Sequence, residues 1–205
     1  MADGRTAAVN ATRQRRDIIV VGASAGGVEA LTRLLARLPR TLPAAIAVVV
    51  HLSPTAESAL PSVLGRATPL PVVAAANDLA FDLGRVYVAV PDHHVLLTDH
   101  VIGLKRDPKE HFHRPAVNPL FRSAARVYRE RVVGVILSGA GFDGVLGAEA
   151  IKAAHGIVLA QDPAEARHAS MPRTAITRNL VDAVLTLDEL AAALPRLAVG
   201  ETVGR

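Results

Sequence analysis

The chain is built from short, continuous apolar runs separated by amphipathic stretches, and this alternation constrains its fold more than any other feature. A run such as Ile18-Ile19-Val20-Val21 has no polar face. As a strand it must be covered on both sides, as in a parallel sheet between two layers of helices. The pattern that follows, with Val28, Leu31, Leu34, Leu35 and Leu38 on one face and Pro39 as a stop, predicts a helix. Further strands are expected at Ala45–Val50, 71–75, Arg85–Val90, Val95–Leu104, Val132–Ser138, Ile157–Ala160 and Val184-Leu185. Helices are expected over roughly 55–66, Asn118–Arg129, Val145–Ala154, Arg173–Asn179 and Leu187–Leu197. Arg85–Val90 and Val95–Leu104, joined by Pro91-Asp92-His93-His94, read as a short antiparallel pair. The expected fold is α/β: a doubly wound, mostly parallel sheet flanked by helices, with that antiparallel pair attached. One domain over 17–197 is predicted, between a flexible tail at 1–16 and a C-terminal tail at 198–205.

Composition narrows the chemistry. Half of the 205 residues are apolar and Trp is absent, so aliphatic side chains must build the core. With no Cys, disulfides, thiolate catalysis and Cys-ligated zinc all drop out, and a cytoplasmic location is expected. No stretch of eighteen apolar residues occurs, so no membrane insertion is expected, and 1–16 lacks the apolar core of a signal peptide. The net charge of +4 comes mostly from arginine and suits either solubility or an acidic partner. No nucleic-acid-binding signature accompanies it, so nucleic acid is not expected as a partner.

In open α/β sheets functional groups gather at the carboxyl ends of strands. Three side chains are expected there: Ser24 after the first strand, His51 after the second, and Asp143 after Val132–Ser138. These are the types of a nucleophile, a general base and the acid that orients it, each on its own loop. Ser24 stands in Gly22-Ala23-Ser24-Ala25-Gly26, a tight turn opening a helix, where unpaired N–H groups favour developing negative charge. A histidine can take the serine proton near neutral pH and return it to a leaving group. Gly139, Gly141 and Gly144 make the Asp143 loop compact, so a backbone N–H there could complete an oxyanion hole.

A glycine-rich turn after a first strand is more often a phosphate cradle. Here Ser24 occupies the place of a dinucleotide-binding glycine, and Val28-Glu29 stand where a Walker loop needs Lys-Ser/Thr. Asp162, at the end of Ile157–Ala160, rivals Asp143 for the acid role, but its loop lacks the glycines. His93, His94, His111 and His113 form no recognised metalloenzyme spacing, so neither a metal nor a cofactor is expected, and surface or structural roles are assigned to them.

These motifs resemble the catalytic domain of CheB-type protein-glutamate methylesterases. The resemblance rests on Val21–Gly27, His51, Pro91–His94, His113–Pro115 with Leu120-Phe121, Gly134–Gly144, Ala160-Gln161 and Met171–Arg173, which cover about 17–197 in order. It implies hydrolysis of γ-glutamyl methyl esters on the cytoplasmic helices of methylated chemoreceptors, and in some members deamidation of receptor glutamines. It carries nucleophile, base and acid onto Ser24, His51 and Asp143, and oxyanion donation onto the backbone of Ala25 and Ala140. Three positions depart from the family's common residues: Ala25 for Thr, Ala140 for Met and Asn118 for Asp. Family members often carry an N-terminal receiver domain, whereas about sixteen residues precede the first strand here. The sequence therefore reads as an esterase regulated by a separate response regulator, or as a piece of a longer protein. Arg122, Arg126 and Arg129 fall at helical spacing and are candidates for docking an acidic receptor; a solvated face fits equally well. An esterase for another signalling partner and a non-catalytic interaction module are the competing readings.

Overall fold

A computed structural model describes residues 14–51 and 59–202. Seven strands form one parallel sheet: β1 (Ile18–Ala23), β2 (Ala45–Val50), β3 (Val72–Ala74), β5 (Val86–Val88), β8 (Val132–Ile136), β9 (Ile157–Gln161) and β10 (Ala183–Leu185). A three-stranded antiparallel sheet holds β4 (Leu79–Ala80), β6 (His94–Thr98) and β7 (Val101–Lys105). The helices are α1 (Gly27–Leu35), α2 (Leu60–Gly65), α3 (Val117–Tyr128), α4 (Val145–Ala153), α5 (Ser170–Thr177) and α6 (Leu187–Ala198).

The order in the main sheet is β10-β9-β8-β1-β2-β5-β3. The chain moves outward from β1 to one side first and later to the other, so the topological switch lies between β1 and β8. A crevice forms at the carboxyl edge of such a switch point. Every residue of β1 and β2 is buried, as their unbroken apolar runs require. Ile19, Val21, Ile46 and Val48 face a core closed by Leu31, Leu34 and Leu35 of α1 and Leu190, Leu194 and Leu197 of α6. Ile18, Val20, Ala45 and Ala47 face a second core with Leu120, Phe121 and Ala124 of α3, Ala148 and Ile151 of α4, and Met171 of α5.

Several expectations need correction. Val86–Val88 does not pair with the following run; it is an interior parallel strand between β2 and β3, and all three of its residues are buried. Val95–Leu104 instead folds back on itself through Asp99-His100, with Thr98 opposite Val101 and His100 at φ 58°. Two polar residues inside an apolar run mark a hairpin turn. Val28 is 39% exposed, because the first turn of α1 lies at the carboxyl edge of the sheet rather than over it. The expected helix over 55–66 lies partly outside the described residues; its described part is α2. Arg16, assigned to the tail, is bound to the domain: its N–H donates to the Leu197 carbonyl at 3.0 Å and its guanidinium donates to the Glu130 carbonyl. At the other end Ala198 is buried within α6 and Glu201 accepts from the Arg196 side chain at 2.8 Å.

Helix α3 approaches the sheet so closely that Gly22 has no room for a side chain. A Cβ there would stand 2.4 Å from a methyl group of Val117, in the first turn of α3. Gly22→Ala is expected to lower stability by about 1–3 kcal/mol, the usual cost of overpacking a core. A denaturant midpoint equal to that of the wild type would show that α3 can retreat freely.

Candidate active site

The switch-point crevice brings Ser24, His51 and Asp143 together. Ser24 Oγ lies 3.0 Å from His51 Nδ1, and His51 Nε2 lies 2.8 Å from Asp143 Oδ2. Both the imidazole and the carboxylate are almost wholly buried. Parallel pairing sets this meeting. Gly22 and Ala23 stand level with Val49 and Val50, so the residues just past β1 and β2 emerge side by side. Ser24 N–H donates to the Ser138 carbonyl at 3.0 Å and His51 N–H to the Ala23 carbonyl at 3.2 Å, extending the sheet into the loops.

Asp143 does two jobs with one carboxylate. The first N–H groups of α3 point at it: Val117 N–H donates to Oδ2 at 2.6 Å and Asn118 N–H to Oδ1 at 3.1 Å. Gly144 N–H donates to Oδ1 at 2.8 Å. Ala116, at the start of α3, offers no capping side chain, so Asp143 caps that helix from another loop. Burial alone would push the Asp143 carboxyl up, but the bonds from His51, Val117 and Asn118 outweigh it and hold the group below its ordinary value. An ionised acceptor beside Nε2 keeps the proton on that nitrogen and leaves Nδ1 free to accept from Ser24.

The departures at Ala25, Ala140 and Asn118 have distinct surroundings. The N–H groups of Ala25 and Ala140 donate to no acceptor among the described residues. They flank Ser24: Ala25 follows it, and a Cβ on Gly139, the neighbour of Ala140, would stand 3.0 Å from Ser24 Cβ. Asn118 is fully buried, and its Oδ1 accepts from Gly144 N–H at 3.1 Å and Gly147 N–H at 2.9 Å. An amide here ties α3 to the start of α4 without adding a second anion beside Asp143, since both side chains accept from the same Gly144 N–H. Its Nδ2 has no partner among the described residues.

Other expected residues lie elsewhere. Asp162 Oδ1 accepts from Ala164 N–H at 2.8 Å and serves its own turn. Arg122 is engaged by the Glu110 carboxylate, and with Arg126 it lines a groove that also holds Asp107, so acids face this part of the basic stripe. Arg129 lies just past α3 at φ 50°, with its side chain against Glu130. Among the four histidines given surface or structural roles, His93 and His94 bond the Pro91 and Pro108 carbonyls.

His113 lies against the site itself. Its ring stacks on His51, with centroids 3.6 Å apart and planes 9° from parallel. Burial and the neighbouring His51 push the His113 imidazole below its ordinary value, so it covers His51 in the neutral form. Sequence reasoning also gave no role to Ser138. Its hydroxyl donates to the Ala25 carbonyl at 2.8 Å and accepts from His168 N–H at 3.0 Å, while its N–H donates to Gln161 Oε1 at 2.9 Å. The turn that carries Ser24 is thereby fastened to the ends of β8 and β9. Its position at the end of an apolar strand is the only sequence signal that could have singled it out.

This geometry coincides with a family match. The CheB methylesterase family profile matches residues 19–194. The chain belongs to that family. A protein-glutamate methylesterase/protein-glutamine glutaminase of Anaeromyxobacter dehalogenans is 40% identical over 193 residues, covering 94% of this chain and 57% of the relative. A Methanosarcina mazei protein of the same name is 38% identical over 184 residues, covering 86% of this chain and 50% of the relative. The chain thus spans about half the length of these CheB-family relatives. A Leptospira interrogans relative, 35% identical over 182 residues, is covered over 94% of its length. The crystal structure of the Thermotoga maritima CheB methylesterase catalytic domain superposes with a TM-score of 0.86 at 32% identity, covering 88% of this chain and 98% of that one.

The lowered Asp143 carboxyl has a consequence for acid stability. Its bonds stabilise the fold fully above the ordinary carboxylate value, about pH 4, and that contribution is lost as pH falls through the lowered folded value. Asp143→Asn is expected to be less stable than the wild type at neutral pH, with the gap narrowing on acidification below about pH 4. Denaturant titrations at several pH values measure this; a gap that does not change with pH would count against an ionised Asp143 cap.

Proposed function

We propose that this domain is a serine esterase that hydrolyses γ-glutamyl methyl esters on the cytoplasmic helices of methylated chemoreceptors, releasing methanol. The observation that carries the reading is the continuous relay from Ser24 Oγ through His51 to Asp143, with separations of 3.0 and 2.8 Å. In the first step Ser24 Oγ attacks the ester carbonyl while its proton passes to His51 Nδ1. The oxyanion that forms meets the N–H groups of Ala25 and Ala140, which donate to no acceptor among the described residues. His51 then returns the proton to the methoxy oxygen, methanol departs, and a glutamyl ester of Ser24 remains. Water, deprotonated by the same Nδ1, hydrolyses that ester and restores the serine. Asp143 stays ionised throughout and holds the imidazolium that forms twice per cycle.

The double name of the relatives supports extending the same site to glutamine, with ammonia as the leaving group in place of methanol. No helix among the described residues is long and apolar enough to cross a membrane.

Ser24→Ala is expected to cut methanol release from a methylated receptor by more than about a thousandfold, because relay members act as a unit. Circular dichroism should match the wild type, since the Ser24 side chain caps nothing in the fold. A variant that still releases methanol at the wild-type rate would end this assignment.

A further inference from the structure

Glu110 and His113 bridge each other, Glu110 N–H to the His113 carbonyl at 3.1 Å and His113 N–H to the Glu110 carbonyl at 2.9 Å. The two residues between them, His111 and Phe112, both stand in the left-handed region, at φ 49° and 69°. Such a turn favours Asn-Gly, and a bulky side chain there costs backbone energy at each position. The ring so held is not buried. Phe112 is 93% exposed, the most exposed of the large apolar side chains described.

This turn is joined to the relay at both of its sides. His113, one peptide beyond Phe112, stacks on His51. His111 packs edge-on against Phe142 at 4.5 Å, and Phe142 directly precedes Asp143. Phe142 is itself 55% exposed. Beside it the loop borders open space, for a Cβ on Gly141 would meet nothing within 4 Å. Two exposed aromatic residues therefore stand on the rim loops, one on each of the loops that carry His113 and Asp143. A polypeptide that delivers a side-chain ester to Ser24 must cross this rim with its own backbone and neighbouring side chains.

The geometry points to Phe112, with Phe142 beside it, as a docking element that packs on apolar side chains of the polypeptide substrate flanking the esterified glutamate. The inference rests on the esterase reading above and names the contact through which that site holds a protein rather than a small ester. Strain in the turn fits this role: a glycine would suit the backbone better, yet a ring stands where solvent alone gives it nothing to pack on.

Phe112→Gly separates the two properties, because it relieves the turn while removing the ring. Rates are measured with a methylated receptor fragment and with p-nitrophenyl acetate. The variant is expected to lose at least about tenfold in kcat/KM toward the receptor relative to any change toward p-nitrophenyl acetate, with the loss in KM. Phe112→Leu should recover most of the receptor rate. An unchanged ratio between the two substrates would overturn the docking role. So would a parallel loss on both, which would mean that the ring serves His51. If the wild type turns over p-nitrophenyl acetate but releases no methanol from the receptor, the proposed function fails, and the docking assignment fails with it.

Discussion

The Asp143 carboxylate is the point on which this structure turns. Taking a carboxylate out of water costs several kcal/mol unless its lone pairs are satisfied. Here three backbone N–H groups and an imidazole satisfy them: Val117, Asn118, Gly144 and His51. Two of those N–H groups are the unpaired donors of α3, so the group that orients the imidazole also completes a helix. The α3 terminus, the loop after β8 and the residue after β2 are tied to one another through a single ionised side chain.

Glycines then fix the distances around that anchor. Gly22 lets α3 reach the sheet, and a Cβ on Gly27 would come within 2.5 Å of Ala23 Cβ. Gly139 lies so close to Met171 that a Cβ would approach its sulfur to 2.1 Å. Ser24 therefore sits between backbone segments packed at contact distance. Pre-set positions of this kind are what an acyl-transfer site needs, because donors must already stand where charge will develop.

Much of this was legible in the sequence because it is written in local patterns. Unbroken apolar runs gave the parallel sheet, and strand ends gave Ser24, His51 and Asp143 as neighbours. The Asp99-His100 hairpin was missed because the apolar character of the run continues on both sides of its polar turn. His113, Ser138 and Asn118 were beyond local reading for another reason. Each acts on a partner far along the chain: His51, Ala25 and Gly144 respectively. Of the Arg122, Arg126 and Arg129 spacing only Arg122 and Arg126 fall on α3, and spacing carries no information about Glu110 and Asp107, which face them from a loop.

The orientation of the His51 ring has a mechanical consequence. The nitrogen facing Ser24 is Nδ1, the one nearer the main chain, and the outer Nε2 is pinned by Asp143. A swing about the Cα–Cβ bond carries Nδ1 through a shorter arc than Nε2, so the atom that faces the serine works on the short lever arm. Its position is inherited from the backbone at the end of β2, itself bonded to Ala23. With the far end clamped and one ring face covered by His113, imprecision in the side chain is taken up where it disturbs the serine least.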